Sequence, residues 1–269
     1  NALPWCVIDG NTDVTDTNSK VPDHPADSFT FVSPNGTSYA SPYVLSASAF
    51  EDGLSVSHTV LESIAVATTT QGYPIVVYMD ATTGRLRLAR STSPQPTSSS
   101  DWKIQSVLAS SDPNGKLASD YINAGIGSDG YLHIAFQNTR GQLVYVKSTN
   151  TSDDGSAQYT FGKSEVLDDS GMFIDMTMDD ATPYITYMSR PNSYDAIRIA
   201  YKASMDFNNT GTDVPGWETM TAPLNQRAAN GRICVATKAK HFGATPDTMP
   251  IAVGFNTGSD YRAAFFVGK

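Results

Sequence analysis

The sequence predicts an all-β protein with the architecture of a β-propeller, built from four blades of four strands each, or from five blades on an alternative count. Two observations lead to this prediction. A segment with the pattern of a β-hairpin, at residues 72–91, returns three more times along the chain with similar flanking runs. The segments between the copies are rich in Ser, Thr, Asn, Asp and Gly, which favour turns. Four-stranded units in series are typical of a propeller, because one unit cannot bury both of its faces alone.

The second strand of each unit is its most regular part. It is predicted from β-branched and aromatic runs, at YPIVVYM (73–79), YLHIAFQ (131–137), TPYITYM (182–188) and MPIAVGF (249–255). First strands precede these runs, at 63–66, 123–126, 175–178 and 234–237. Third strands follow them, at 86–91, 143–148, 197–203 and 263–269. Fourth strands, each with an aromatic residue, are predicted at 101–108, 159–167 and 216–222.

The two ends of the chain suggest how the units close. Residues 3–9, LPWCVID, resemble a fourth strand, whereas the chain ends on a third strand. We therefore expect residues 3–9 to pair with residues 262–268, which would complete the last blade without a free sheet edge. The whole of 1–269 then forms a single domain. Residues 10–60 do not fit the repeat and are expected to be an irregular insertion in the first blade, or a degenerate fifth blade, with a hairpin around Pro34-Asn35-Gly36.

The predicted first strands have the composition expected at the centre of a propeller. One face is small, with Ser63 and Ala65, Asn123 and Gly125, Asp175 and Thr177, and Cys234 and Ala236, and the opposite face is mostly larger. Small side chains are expected where blades converge, although an alternating strand in a β-sandwich would share this pattern. Aromatic residues recur at equivalent places, which predicts packing between blades for Trp5, Trp102, Tyr159, Phe161 and Trp217. His133 lies in a predicted strand and is expected to be packed in the core.

The repeated unit also resembles a known kind of repeat. The pattern x-P-x-I-x-x-Y followed by L-x-L-A-R is similar to the G-x-P-H-I-A-Y … L-x-Y-A repeats of secreted bacterial β-propeller proteins, over about residues 60–269. The second unit, at 132–136, keeps the His and Ile of that pattern and lacks its Pro. The resemblance implies a propeller scaffold and no particular activity.

The charge of the chain excludes some classes of partner. There are 18 basic and 27 acidic residues, a net charge of −9. Nucleic acids and anionic membrane surfaces select clusters of Lys and Arg, so neither is an expected partner. Glycosylation sequons at Asn35, Asn150 and Asn208, together with the acidity and the many short polar loops, predict an exported chain, which would be extracellular, at the cell surface or periplasmic. The start at Asn1 rather than Met predicts a chain that was processed or trimmed.

One loop has the pattern of a cation site. Asp9, Asn11, Asp13 and Asp16 place oxygen-bearing side chains at alternate positions, as a loop does when it wraps Ca²⁺. Val14 and Lys20 occupy the Gly and Glu positions of an EF-hand, so the loop is not an EF-hand. A solvated polar loop is the alternative interpretation.

The functional prediction is a non-catalytic module that recognises or assembles with a protein or glycan partner. The alternative is a glycan-active hydrolase, in which Glu62, Asp120 and Asp175, in or near three first strands, would be the carboxylates around the axis. Against the alternative, only Asp175 is acidic among the aligned inner positions 63, 123, 175 and 234.

The only two cysteines, Cys6 and Cys234, raise a question that the sequence leaves open. An exported chain with two cysteines favours a disulfide. The predicted strand order places Cys6 on an outermost strand and Cys234 on an innermost one, roughly 14 Å apart at about 4.8 Å per strand. A disulfide needs Cα atoms within about 7 Å, so the bridge and this strand order exclude each other.

Overall fold

The computed structural model describes the backbone of residues 6–9, 29–32, 34–35, 38–39, 43–44, 60–80, 83–189, 196–202, 217–221, 234–237, 249–256 and 261–268. Within them the chain is all-β: there is no α-helix, and a single turn of 3-10 helix spans Ser99–Asp101. In this part of the chain no helix has the length and hydropathy to cross a membrane.

The strands occur in groups along the chain. The first group is β1 (Cys6–Asp9), β2 (Phe29–Val32), β3 (Pro34–Asn35), β4 (Ser38–Tyr39) and β5 (Tyr43–Val44). The second is β6 (Val60–Thr68), β7 (Pro74–Asp80), β8 (Arg85–Ser91) and β9 (Trp102–Ser106), and the third is β10 (Leu117–Ile126), β11 (Tyr131–Asn138), β12 (Leu143–Thr151) and β13 (Glu165–Asp168). The fourth is β14 (Met172–Asp179), β15 (Thr182–Ser189), β16 (Ala196–Lys202) and β17 (Trp217–Thr221), and the last is β18 (Cys234–Thr237), β19 (Met249–Asn256) and β20 (Tyr261–Gly268).

The groups form five antiparallel sheets, with strands in sequence order in each. Sheet I is β1-β2-β5, sheet II is β6-β7-β8-β9, sheet III is β10-β11-β12-β13, sheet IV is β14-β15-β16-β17 and sheet V is β18-β19-β20. The separate hairpin β3-β4 brackets Gly36, as the Pro-Asn-Gly sequence predicted. The four-stranded unit predicted from the repeat is therefore confirmed in sheets II, III and IV.

The first strands of successive sheets lie side by side. Cα atoms come within 8 Å between β1 and β6, β6 and β10, β10 and β14, and β14 and β18. This row agrees with the prediction that the runs before each second strand are the inner ones. The prediction for the chain ends is not met among the described strands, because β1 pairs along its whole length with β2 while β20 pairs with β19. Cys6–Asp9 is therefore a first strand, and part of the segment 10–60, expected as an insertion, supplies its partners.

The hydrogen-bonded ladders correct the alignment of the first strands. Positions equivalent to Asn123, which pairs with Ala135, are Ala65, Asp175 and Val235, rather than Ser63, Asp175 and Cys234. Short alternating runs match one another in several registers, and only the ladder distinguishes them. In β6 the alignment moves by two residues, from Ser63 to Ala65, so the same side chains stay on the predicted small face. In β18 it moves by one residue, from Cys234 to Val235, so the two faces are exchanged.

The contrast between a small and a large face has a direct packing reason. A Cβ atom added at Gly125 of β10 would lie 2.9 Å from Cγ of Met178 on β14. Real Cβ atoms do not approach other atoms so closely, so a larger residue at position 125 would force the side chain of Met178 to move. On β6, Ala65 and Ala67 are buried in the same way against sheet III.

Among the side chains that the structure describes, two apolar cores fill spaces between sheets. One lies between sheets II and III and includes Leu88, Phe136 and Val146. The other lies between sheets III and IV and includes Tyr145, Met176 and Ile185. The predicted packing is confirmed for His133, which is buried, and for Tyr159 and Phe161, which lie in or against the core between sheets II and III. Trp102 is also buried, and Trp5 lies outside the described residues.

Candidate functional site: an arginine and tryptophan seam between two sheets

Polar and aromatic side chains meet where the outer strands of sheets III and IV face each other. Sheet III contributes Tyr145 on β12 and Glu165 and Asp168 on β13. Sheet IV contributes Tyr187 on β15, Arg198 on β16 and Trp217 at the start of β17. We call this set the seam site: Tyr145, Glu165, Asp168, Tyr187, Arg198 and Trp217. The site lies at the edge of the apolar core between the two sheets, against which Trp217 packs.

Arg198 and Asp168 form the polar centre of the seam site. Nη1 of Arg198 forms a short ion pair with Oδ2 of Asp168, and the two side chains are 24% and 11% exposed. The same Oδ2 accepts a hydrogen bond of 2.7 Å from the hydroxyl of Tyr187. Nη2 of Arg198 donates to Oγ1 of the exposed Thr219 at 2.7 Å. Because the guanidinium is planar and both Nη1 and Nη2 are bound, the positions of its other N–H groups are fixed as well.

Trp217 forms the aromatic part of the site. Its ring meets the ring of Tyr145 edge-on, with centroids 4.6 Å apart and planes at 68°. Its indole N–H donates to Oε2 of the exposed Glu165 at 3.2 Å. Behind it, the hydroxyl of Tyr145 lies 2.7 Å from Nδ1 of the buried His133. The indole is therefore held by the hydrogen bond of its N–H and by its contact with the ring of Tyr145, and it remains partly exposed.

The two tyrosines of the site are held in their neutral form. Burial raises the pKa of Tyr187 well above its ordinary value, and the hydrogen bond to Asp168 raises it further. Burial also raises the pKa of Tyr145, with a further contribution from the Glu165 carboxylate. The Tyr187 hydroxyl thus stays a hydrogen-bond donor to Asp168 at neutral pH. One guanidinium and the two carboxylates Glu165 and Asp168 leave the site with more negative than positive charges.

A second arginine occupies the corresponding place in sheet II. Arg87 and Arg198 each pair in their ladder with a tyrosine of the second strand. Arg87 is fully buried, and it donates to Oγ of Ser106 at 2.7 Å and lies 3.5 Å from Oδ2 of Asp80. Its carboxylate comes from its own sheet, whereas the carboxylate that binds Arg198 comes from the neighbouring sheet. Of these two arginines, Arg198 is the one that solvent reaches.

The three carboxylates predicted for a hydrolase lie on first strands of consecutive sheets. The ladder of each strand shifts register near its start, between Val60 and Ile64, Leu117 and Ile122, and Met172 and Asp175. Glu62 and Asp120 lie within these irregular stretches and Asp175 ends the third. Such bulges are frequent beside active sites.

Asp175 is the one of these three residues whose side chain the structure describes, and it is half-buried. Its Oδ1 accepts hydrogen bonds from Nδ2 of Asn123 at 2.7 Å and from the backbone N–H of Met176 at 3.0 Å. The side chains of Glu62 and Asp120 are outside the described part of the chain. The structure therefore brings the backbones of the three residues onto neighbouring strands of one row.

The predicted calcium loop lies almost wholly outside the described residues. Asp9 ends β1, and Asn11, Asp13 and Asp16 fall beyond it. Among the side chains that the structure describes, no group of three or more His, Cys, Asp or Glu could hold a metal ion. Calcium remains a prediction from the sequence.

Sequence reasoning missed Glu165, Asp168 and Arg198. Asp168 is the last residue of β13. A signal was present in the triplets L-R-L at 86–88 and I-R-I at 197–199, where an arginine stands between two apolar residues in a predicted strand. An arginine that a strand draws towards the core requires a carboxylate partner, and the search for that partner could have led to Asp168.

No protein-family model matches the sequence, and no curated protein matches it. The fold is similar to that of the BP39L lectin from Burkholderia pseudomallei, with a TM-score of 0.56 and 13% identity over 90% of this chain and 61% of the lectin. It is also similar to a mutant of AofleA from Arthrobotrys oligospora in which three arginines are replaced by alanine, with a TM-score of 0.50 and 15% identity over 77% of this chain and 57% of AofleA. The catalytic domain of a Coprinopsis cinerea GH62 α-L-arabinofuranosidase aligns with a TM-score of 0.40 and 9% identity, over 90% of this chain and 83% of that domain.

These likenesses concern the fold alone, because the identities are low. The chain aligns with about six-tenths of the length of BP39L and AofleA. Together with the five antiparallel sheets and the row of first strands, the likenesses to BP39L and AofleA support a propeller-like all-β architecture.

Proposed function

We propose that this protein is a carbohydrate-recognition module that binds glycans at the seam site without catalysis. The observation that carries the proposal is the pair of contacts that join sheets III and IV, Arg198 to Asp168 and Trp217 to Glu165, both at side chains that solvent reaches. BP39L, which has a similar fold, is a lectin, and this supports a glycan as the partner.

The chemistry of the seam site suits a sugar. A sugar ring has one face of C–H groups and a rim of hydroxyls, and an aromatic side chain offers an apolar face beside a polar edge. Trp217 would provide that face. Arg198 and the carboxylates Glu165 and Asp168 would donate to and accept from the hydroxyls, in hydrogen bonds strengthened by charge. Because the contacts of Arg198 and Trp217 are already formed, little side-chain ordering is needed on binding.

We further propose that the five sheets are the five blades of one closed ring. The first strands already form a row from β1 to β18. In a closed ring the ends of that row meet, so that β1 lies beside β18 instead of beside β20. Closure in this form leaves no inner strand without neighbours on both sides.

The test is a glycan array followed by calorimetric titration of the strongest hit. Arg198→Ala and Trp217→Ala are each expected to weaken binding about 10-fold to 100-fold, the usual effect of removing a hydrogen bond to a charged group or a stacked ring. Arg140→Ala is the matched control, because Arg140 is exposed and donates to the carbonyl of Pro113, away from the seam. Binding by both seam variants at the affinity of the starting protein would contradict the proposal, as would an array without a hit.

A second candidate function is hydrolysis of a glycan by Glu62, Asp120 and Asp175. The observation that favours it is the position of these residues at the irregular starts of three consecutive first strands. Release of reducing sugar from the glycan that binds, abolished by Asp175→Asn, would support the hydrolase. A glycan recovered intact after long incubation supports the binding module instead.

Export from the cell and a calcium site at Asp9, Asn11, Asp13 and Asp16 complete the proposal. If calcium binds the native protein alone, its removal lowers stability by RT ln(1 + [L]/Kd). We expect a chelator to lower the melting temperature of the starting protein and to leave that of Asp13→Ala unchanged. A starting protein that melts at the same temperature with and without chelator has no such site.

A further inference from the structure

The strand that carries both carboxylates of the seam site is short and irregular. β13 has four residues and lies at the end of sheet III, next to β12. Glu165 pairs with Tyr145 and Asp168 pairs with Leu143, so three steps along β13 match two steps along β12. β13 therefore contains one extra residue, a β-bulge, which disrupts the ladder locally and changes the direction of side chains.

The bulge brings the two carboxylates to one face of sheet III. In a regular strand, residues three apart point to opposite faces. Tyr145 and Leu143 are two apart on β12, and both belong to the core between sheets III and IV. Glu165 and Asp168 stand opposite them and therefore both face sheet IV, in agreement with their contacts to that sheet. Without the bulge, Leu167 would stand opposite Leu143, and Asp168 would lie on the other face.

A buried hydroxyl holds β13 at its start. Ser164 directly precedes Glu165 and is 5% exposed. Its Oγ donates to the carboxylate of Asp112, whose two oxygens lie 3.0 and 3.1 Å away, and it accepts a hydrogen bond of 2.9 Å from Nδ2 of the buried Asn114. Asp112 and Asn114 belong to the connection between β9 and β10. The start of β13 is thus bound to a segment outside its own ladder.

The other end of β13 is bound to the turn between β11 and β12. The N–H of Gly171 donates to the carbonyl of Gly141 at 2.9 Å. Oδ1 of Asp169 accepts a hydrogen bond of 3.2 Å from Nε2 of Gln142, and this contact is exposed. The end of the strand is therefore held by the backbone and by an exposed side chain, whereas the start depends on the buried hydroxyl of Ser164.

We propose that Ser164 is a positioning residue, whose hydroxyl holds β13 in the bulged register that turns both seam carboxylates towards sheet IV. The inference deepens the function proposed for the seam site and depends on it for the effect on binding. Ser164 is not itself a member of the site. Without its hydroxyl, the Asp112 carboxylate and the Asn114 amide lose a buried partner. A strand that then shifts by one residue presents its opposite face.

NMR of the protein without ligand tests the register. The indole N–H signal of Trp217 reports the hydrogen bond to Glu165. We expect Ser164→Ala to move this signal towards its position in Glu165→Ala, in which the acceptor is absent. Ser156→Ala is the matched control and should not move it, because the exposed Ser156 lies in the same connection and donates to Asp154 at 2.7 Å. A Ser164→Ala protein that melts at a lower temperature with the Trp217 signal in place would overturn the proposal.

A second variant keeps the proposal testable if Ser164→Ala does not fold. Asp112 is only partly buried, and Asp112→Ala removes the acceptor of the same hydroxyl. We expect a smaller displacement of the Trp217 signal in the same direction, and an unmoved signal in a folded Asp112→Ala protein would count against the proposal.

Calorimetry with the glycan selected from the array tests the consequence for binding. We expect Ser164→Ala to weaken binding about 10-fold and Ser156→Ala to leave the affinity unchanged. Unchanged affinity in Ser164→Ala would refute a positioning role in recognition. An array without a hit would refute glycan recognition instead, and the Trp217 signal of the ligand-free variants would still decide whether Ser164 sets the register.

Discussion

At the scale of single residues, Gly155 shows how one side chain can decide whether two sheets fit. It lies in the connection between β12 and β13, with a φ of +66°. Its carbonyl accepts a buried hydrogen bond of 3.0 Å from Nε of Arg90 on β8. A Cβ atom at this position would lie 1.8 Å from the carbonyl oxygen of Ser91, which no rotation can relieve. The glycine is therefore required both by its backbone conformation and by the neighbouring strand.

We predict that Gly155→Ala lowers the free energy of unfolding by at least about 3 kcal/mol, from left-handed strain and the backbone clash together. Gly141→Ala is the matched control, because Gly141 has a φ of +81° with open space around it. Its cost should be about 1 kcal/mol, from strain alone. Urea denaturation measures both variants, and equal losses would show that the contact with Ser91 is not as tight as described.

The buried tyrosines make a prediction at alkaline pH. Burial raises the pKa of Tyr159 to about 12, with a further contribution from Asp153, and raises those of Tyr145 and Tyr187 more. The pKa of an unfolded tyrosine is 10.0. Because the folded values are higher, the stabilisation is complete below pH 10 and decreases as the pH rises above it.

Ultraviolet absorbance of the phenolate should therefore show two groups of tyrosines. One ionises near the ordinary pKa, and the other ionises only as the protein unfolds. Tyr159→Phe should remove one tyrosine from the second group. A single titration near pH 10 with the fold intact would contradict the burial of these rings.

At the scale of elements, Gln105 of β9 joins sheet II to the connection before β13. Its Nε2 donates to the carbonyl of Tyr159 at 2.7 Å, and its Oε1 accepts from the N–H of the same residue at 2.9 Å. The amide of Gln105 thus binds the backbone N–H and C=O of Tyr159 as a neighbouring strand would, and both hydrogen bonds are buried. Removal of the amide leaves a backbone donor and acceptor without partners away from water.

We predict that Gln105→Leu costs about 2–4 kcal/mol of stability and that the Tyr159 amide then loses its protection from hydrogen exchange. Gln95→Leu is the control, since Gln95 is exposed and its loss should change stability by less than about 0.5 kcal/mol. An unchanged rate of exchange at Tyr159 in Gln105→Leu would contradict the role given to the amide.

The strands also show which parts of the fold can be predicted from the sequence. The hairpins β7-β8, β11-β12 and β15-β16 were predictable because strand pairing across a short turn leaves a local pattern of alternation. Cys6–Asp9 was assigned to the wrong place because its partner, Phe29–Val32, follows a segment without a repeat pattern. An aromatic residue before the strand made it resemble a fourth strand, and only the ladder shows otherwise.

The seam site was less predictable than the strands that carry it. Arg198 and Asp168 are 30 positions apart, and Trp217 and Glu165 are 52 apart, on different sheets. Contacts of this kind depend on how one sheet is placed against the next, which no local pattern encodes. The prediction for Trp217 was therefore incomplete. The ring packs against the core as predicted, and its N–H also donates a hydrogen bond to Glu165 of the neighbouring sheet.

At the scale of the whole molecule, the row of first strands and the seam between outer strands have different roles. The row holds the sheets together through close contacts such as Gly125 with Met178 and the hydrogen bond between Asn123 and Asp175. The outer part of the seam is more open, because Arg198 and Trp217 keep part of their surface in solvent. A rigid centre and an accessible, preorganised rim suit a protein whose work is recognition.

The most direct test of glycan recognition at the seam is an NMR titration of the three tryptophan indole groups with a glycan selected from the array. Trp217→Phe and Trp102→Phe assign their signals. We predict that the indole N–H of Trp217 shifts and saturates with ligand, because the glycan lies on its ring and competes for Glu165, while the signal of the fully buried Trp102 does not move. A glycan that binds with the Trp217 signal unchanged would contradict the account and place recognition elsewhere on the protein.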